Sequence, residues 1–157
     1  MALLHSGLGR KYTTRVIGGI YGTTTHWYSK AALLAARASL FVIYFWFGAL
    51  KVFHLSPADP LVQALLEKTM PFVAFPVFVV VFGLFEMLIG VIFLVPALDR
   101  ISVPVFFAHM FVAAMPLVLL PALVWQQFFV PTLEGQYIIK NMALITSALV
   151  IAARRHR

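Results

Sequence analysis

Four apolar stretches, each long enough to cross a lipid bilayer, constrain the fold of this chain more than any other feature. A bilayer core of about 30 Å needs about 20 helical residues, and such stretches occupy residues 31–54, 72–98, 101–125 and 137–153. None of them alternates polar and apolar residues as a barrel strand does. Because backbone groups in lipid must form hydrogen bonds within their own segment, the pattern predicts an all-α membrane protein with four transmembrane helices in an antiparallel bundle.

The composition excludes a water-soluble globular domain. Hydrophobic residues make up 62% of the 157 residues and charged residues 11%, whereas soluble domains contain roughly 45–50% and about 25%. The absence of cysteine excludes disulfides, thiolate metal sites and thiol redox pairs. We expect no nucleic-acid partner, because the basic residues flank the apolar stretches instead of forming one folded face. Anionic lipid head groups account better for the net charge of +7.

The basic residues also predict the domain organisation and the orientation. Residues 1–30 are expected to form a basic segment at the cytoplasmic surface, residues 31–153 the transmembrane domain, and residues 154–157 a basic cytoplasmic tail. With four spans, nine Lys and Arg lie on the side of the two termini and three on the other. The positive-inside rule then places both termini in the cytoplasm. We expect the protein to lie in the bacterial inner membrane. Trp27, Tyr28 and Lys30 fit either an interfacial anchor or an ordinary loop.

Glu86 is the main polar residue expected inside the membrane. It lies about 18 Å from the inner end of the second span, close to the bilayer midplane, where a charge costs about 2.5–3.5 kcal/mol. Gly83 and Gly90 share its helix face and would let a neighbouring helix approach closely. The carboxyl either takes part in proton transfer or ligand binding, or serves packing as a neutral or hydrogen-bonded group. Because burial favours the neutral form unless a cation lies nearby, Glu86→Gln is expected to retain most of the stability.

The first span carries a polar face that is expected to point into the bundle. Arg37, Tyr44, Gly48 and Lys51 recur at helical spacing. Tyr44 lies near the depth of Glu86, where its hydroxyl could form a hydrogen bond with the carboxyl. Arg37 and Lys51 lie near opposite membrane surfaces, and each either extends its charge towards the head groups or joins a polar site.

His109 completes the intramembrane site that we predict, which comprises Glu86, Tyr44, His109 and Arg37. As a lone histidine on an apolar helix it either shuttles protons, ligates a metal, or is a hydrogen-bonded core residue. Haem is not expected, because His54 lies near the opposite surface and no second histidine shares the depth of His109. The sequence identifies no catalytic residue and no metal-binding motif.

Polar residues at the outer ends of the spans form either a second, shallow site or a solvated rim with ordinary surface ion pairs. The candidates for this outer site are Lys51, Glu134, Lys140 and Asn141.

Short motifs occupy matching positions along the predicted spans. They are Phe47-Gly48-Ala49-Leu50-Lys51 at the end of the first span, Glu86 and Gly90 in the second, Arg100 in the next turn, and Glu134-Gly135 with the segment up to Asn141 at the start of the last. Over residues 32–153 this pattern resembles the DoxX-like family of small four-helix membrane proteins. The resemblance implies that Lys51, Glu86, Arg100 and Glu134 are the family-type polar residues. The basic segment at the N-terminus departs from the family's pattern.

The resemblance also implies a function. Some DoxX-like proteins are the membrane subunit of thiosulfate:quinone oxidoreductase, and others belong to oxidant-resistance membrane complexes. We therefore expect an accessory or anchoring subunit of a quinone-linked redox complex, with the bilayer and other membrane subunits as partners and quinone as the implied cofactor. The alternatives are a purely structural subunit and an independent quinone-dependent oxidoreductase. The chain is not expected to act as an enzyme alone, because it carries no cofactor motif.

Overall fold

The computed structural model describes residues 7–154 and, within them, the side chains of residues 28–153. The chain divides into two compact units, Met1–Ala35 and Ala36–Arg157. In the first unit the described backbone is helical from residue 7 onward and has no break at residue 30. Tyr28 and Lys30 are exposed, whereas the side chains of Arg10, Lys11, Arg15 and Trp27 and the tail residues 155–157 lie outside the described part.

Helices make up most of the described chain. The helices are α1 (Gly7–Val52), α2 (Asp59–Thr69), α3 (Phe75–Phe93), α4 (Asp99–Ala114), α5 (Pro116–Leu119), α6 (Pro121–Val124), α7 (Leu133–Lys140) and α8 (Met142–Arg154), with a 3₁₀ turn at Pro96–Leu98. Two short antiparallel strands, β1 (Trp125–Gln127) and β2 (Val130–Pro131), pair between α6 and α7.

In the described part of the chain, four helical stretches are long and apolar enough to cross a membrane, namely Tyr28–Val52, Phe75–Phe93, Pro96–Leu119 and Leu133–Ala153. They confirm the predicted all-α membrane protein. Many of their apolar side chains are exposed, among them Val77, Phe111 and Val118, as expected for surfaces that face lipid.

The third span ends earlier than the hydropathy pattern predicts. The sequence favours one helix up to residue 125, but the helical span ends at Leu119 and the chain then forms α6 and the hairpin. Pro116 and Pro121 each begin a new short helix, because proline has no N–H to donate to the preceding turn. The last span begins at Leu133, before the predicted residue 137. At this start the Thr132 hydroxyl accepts a hydrogen bond from the N–H of Gly135 and caps the helix.

Helices α1 and α3 meet backbone to backbone at two glycines. A Cβ on Gly48 would lie 2.5 Å from the carbonyl oxygen of Gly83, and one on Gly83 would lie 2.6 Å from that of Gly48. Gly90 lies against the α1 backbone at Phe41 and Phe45. The face of α3 that carries Glu86 therefore packs directly on α1, with fully buried side chains such as Leu40, Ile89 and Phe106 around it.

Candidate functional site

Lys51 and Glu86 form an ion pair in the interior of the bundle. The Lys51 Nζ donates to Glu86 Oε2 over 2.6 Å, and the two residues are only 5% and 6% exposed. Side chains on a helix point towards its N-terminus, so Lys51, one residue from the end of α1, reaches back along the helix to the depth of Glu86. Of the two arrangements expected for Lys51, the structure therefore shows the polar site, and the ammonium does not extend to the nearer membrane surface.

His109 lies between Glu86 and Tyr44. One ring nitrogen, Nε2, is 3.2 Å from Glu86 Oε1, and the other, Nδ1, is 3.0 Å from the Tyr44 hydroxyl. A carboxylate paired with an ammonium only accepts hydrogen bonds, so Nε2 donates to it. In the neutral imidazole the other ring nitrogen, Nδ1, then accepts from the Tyr44 hydroxyl. The anticipated contact between Tyr44 and Glu86 is thus replaced by one through the imidazole. We call Lys51, Glu86, His109 and Tyr44 the buried relay.

Aromatic rings enclose the buried relay. The Phe82 ring stacks on the His109 ring with centroids 5.3 Å apart and an angle of 21°, and Lys51 Nζ lies 5.6 Å from the centroid of Phe82. Phe85 lies 6.3 Å from His109 and is 39% exposed, on the surface that faces lipid. Because this surrounding is apolar, the electrostatic and hydrogen-bond interactions of the relay are stronger than they would be in water.

The chemistry available to the buried relay is proton exchange. α1, α3 and α4 bring an ammonium, a carboxylate, an imidazole and a phenol into one hydrogen-bonded chain. An imidazole that accepts a proton at Nδ1 can release another from Nε2, so proton movement through His109 needs no movement of the ring.

Arg37 lies in a second buried cluster and does not contact the relay residues. Its guanidinium donates to both carboxylate oxygens of Asp99, over 2.8 and 2.6 Å, and to the carbonyl oxygen of Phe93 over 2.7 Å. Phe93 ends α3 and Asp99 begins α4, so Arg37 joins α1 to the turn between these helices. The bond to Phe93 satisfies a carbonyl that a helix end leaves free. Arg37 was expected either to extend its charge to the head groups or to join a polar site, and it forms a buried ion pair with Asp99.

Sequence reasoning missed Asp99 as a buried residue, because it precedes Arg100 in the turn between two predicted spans, and connecting turns usually lie at the surface. A usable signal was present: an unpaired arginine and an aspartate near the same end of neighbouring spans are a favourable pair for burial. Arg100 itself is exposed.

The four candidates for the outer site are not assembled into one cluster. Lys51 is engaged by Glu86 in the interior, while Glu134 and Lys140 are exposed at opposite ends of α7. The ammonium of Lys140 lies 5.3 Å from the ring centroid of Tyr137, and Asn141 is the C-cap of α7. These contacts describe an ordinary helix surface.

Among the described side chains, those of residues 28–153, no group of three His, Asp or Glu lies close enough to hold a metal ion. Comparison of the chain with protein-family models, curated proteins and solved structures finds no match in any of the three. The candidate functional site is therefore the buried relay, defined by its own geometry.

Proposed function

We propose that the protein is an integral-membrane accessory subunit of a quinone-linked redox complex, in which the buried relay exchanges protons. The observation that carries this proposal is the chain of hydrogen bonds from Lys51 through Glu86 and His109 to Tyr44. Ionisable groups are costly at membrane depth, and they occur there mainly on ion, proton or ligand pathways.

Each relay residue carries a group that can donate or accept a proton, and each is hydrogen-bonded to the next. A proton that reaches the Tyr44 hydroxyl releases the phenolic proton to His109 Nδ1, and the proton on Nε2 passes to Glu86 Oε1. Lys51 offsets the charge of the carboxylate before that transfer. As an ammonium it is a donor only, so it can accept the proton from Glu86 only after it has released a proton of its own. Proton transfer between positioned groups of this kind is ordinary general acid–base chemistry.

Quinone enters the proposal through the resemblance to DoxX-like proteins and through the donor set. A phenol and an imidazole that turn from their partners in the relay could hydrogen-bond the carbonyl oxygens of a quinone, and Phe82 and Phe85 supply flat apolar surface beside them. The exposed edge of Phe85 faces lipid, the phase in which a quinone dissolves. A bound quinone would supply electron transfer coupled to proton uptake. The electrons would come from another subunit, because the chain carries no cysteine and no cofactor motif.

Purification from the native host in mild detergent, without overexpression, tests this function. Mass spectrometry should find stoichiometric redox partners, and organic extraction should release quinone. A chain that runs alone and reduces or oxidises quinone by itself would contradict the subunit role and favour an independent oxidoreductase.

A purely structural subunit is the second candidate. It is favoured by the closed pattern of the relay, whose four groups form their hydrogen bonds with one another. Stoichiometric membrane partners without quinone in the same purification would support this candidate instead.

A further inference from the structure

The hairpin between α6 and α7 presents two phenylalanines at its tip. Gln127 pairs with Val130, which leaves Phe128 and Phe129 as the connecting residues. Their side chains are 90% and 78% exposed. The two rings contact each other edge to face with centroids 4.7 Å apart, and Phe129 also lies 6.2 Å from the Trp125 ring. The tip is thus a preformed aromatic cluster, which we call the aromatic tip (Trp125, Phe128 and Phe129).

The base of the hairpin is firmly held. Thr132 donates from its N–H to the Val124 carbonyl over 2.9 Å and from its hydroxyl to the Leu123 carbonyl over 2.8 Å. The Trp125 indole N–H donates to the Leu117 carbonyl over 3.0 Å. Gly135 lies so close to the Val124 carbonyl oxygen that a Cβ there would clash with it. The base therefore fixes the direction in which the tip projects.

The backbone at the tip is strained. Phe129 has a φ of 58°, in the left-handed region that glycine and asparagine usually occupy in tight hairpins. A bulky residue in this conformation costs free energy and is often retained for a function. Because the Phe129 ring is 78% exposed, a contact that compensates for this strain has to come from outside the chain.

Position and charge indicate lipid as the contact. The hairpin connects the third span, which ends at Leu119, to the fourth, which begins at Leu133, so it lies at the boundary of the membrane. No Asp, Glu, Lys or Arg occurs between Arg100 and Glu134. Val118 near the end of the third span and Leu133 at the start of the fourth are also exposed. Trp is favoured where the acyl chains meet the head groups, and Phe is among the residues that segments lying at this boundary bury in the acyl chains.

We propose that the aromatic tip inserts into the bilayer boundary and anchors the ends of the third and fourth spans at a fixed depth. This role is independent of the buried relay and of the proposed function. The rigid base transmits the position of the inserted rings to α6 and α7.

Spin labelling tests the insertion, because the absence of cysteine lets a single introduced cysteine carry the label. Gln127→Cys places a nitroxide beside both phenylalanines in the full chain, reconstituted in phosphatidylcholine vesicles. Collisions with oxygen report lipid, and collisions with a nickel chelate report water. Val77→Cys on the lipid-facing surface and Lys68→Cys on α2 are the matched controls. The label at 127 should be more accessible to oxygen than to nickel, as at 77 and unlike 68.

A second variant keeps the test independent of folding. Phe129→Gly removes one ring and relieves the left-handed strain, so the thermal unfolding temperature should not fall, while nickel accessibility at 127 should rise severalfold. A label at 127 that is as accessible to nickel as that at 68 would overturn the proposal and indicate a tip that faces water. Shielding from both reagents would also overturn it, because a protein surface would then cover the tip. An unchanged nickel accessibility in Phe129→Gly would overturn the role of the ring.

Discussion

At the scale of single residues, the Lys51–Glu86 pair changes what a substitution is expected to do. A neutral Glu86, as the sequence alone favours, would make Glu86→Gln nearly silent. With the ammonium 2.6 Å from the carboxylate, the same substitution leaves a buried cation without its partner, which typically costs about 3–5 kcal/mol. The double variant Lys51→Met/Glu86→Gln removes both charges, keeps an acceptor for His109 Nε2 and should be close to the wild type in stability. Denaturant or thermal unfolding in detergent measures both, and a Glu86→Gln protein as stable as the wild type would show that the pair is not maintained.

His109 allows the two candidate functions to be separated. Glutamine can donate to Glu86 and accept from Tyr44 but does not relay protons, so His109→Gln should lose proton-coupled activity in the native complex. Its stability should fall by no more than about 0.5–1.5 kcal/mol, the worth of one hydrogen bond. Arg37→Lys is the matched control, because it weakens the bidentate pair with Asp99 and should lower stability with the activity of the complex retained. Full activity in His109→Gln would favour the structural subunit.

At the scale of elements, the crossing of α1 and α3 depends on Gly48 and Gly83. A methyl group on Gly48 would meet the Gly83 carbonyl at 2.5 Å, so the two backbones must move apart. Gly48→Ala should cost about 1–3 kcal/mol as an overpacked contact and should lengthen the Lys51–Glu86 distance. Gly90→Ala is the matched control, since its nearest contact is 3.1 Å and the gain in helix propensity of about 0.8–1 kcal/mol offsets a small shift. Equal unfolding free energies for the two variants would contradict the crossing.

At the scale of the whole molecule, four spans place the start of the first span and the end of the last on one side of the membrane. We predict that this side is the cytoplasm, because nine of the 12 Lys and Arg lie there. A single cysteine at Ser56 should react with an impermeant thiol reagent added to intact cells, and one at Ala2 should react only after lysis. The reverse labelling pattern would show that the termini lie outside and would contradict the predicted orientation.

The sequence by itself determined the fold class and the helix face that Glu86 shares with two glycines. Bilayer thickness and the need for internal backbone hydrogen bonds fix the length and composition of a span, so four spans could be read from hydropathy alone. The helical repeat likewise placed Gly83, Glu86 and Gly90 on one face, which packs on α1.

Only the tertiary structure decided which polar groups meet. Depth along a span says nothing about how a helix is rotated or which helix lies beside it, because many distant packing contacts set both together. Lys51 therefore pairs with Glu86, His109 separates Tyr44 from the carboxyl, and Arg37 binds Asp99. The hairpin escaped prediction for a related reason: its residues are as apolar as a span, and its strands are held by Thr132 and Trp125 through contacts to α5 and α6. A hydropathy pattern measures the transfer of side chains into lipid, whereas these partners depend on geometry that exists only once the helices have packed.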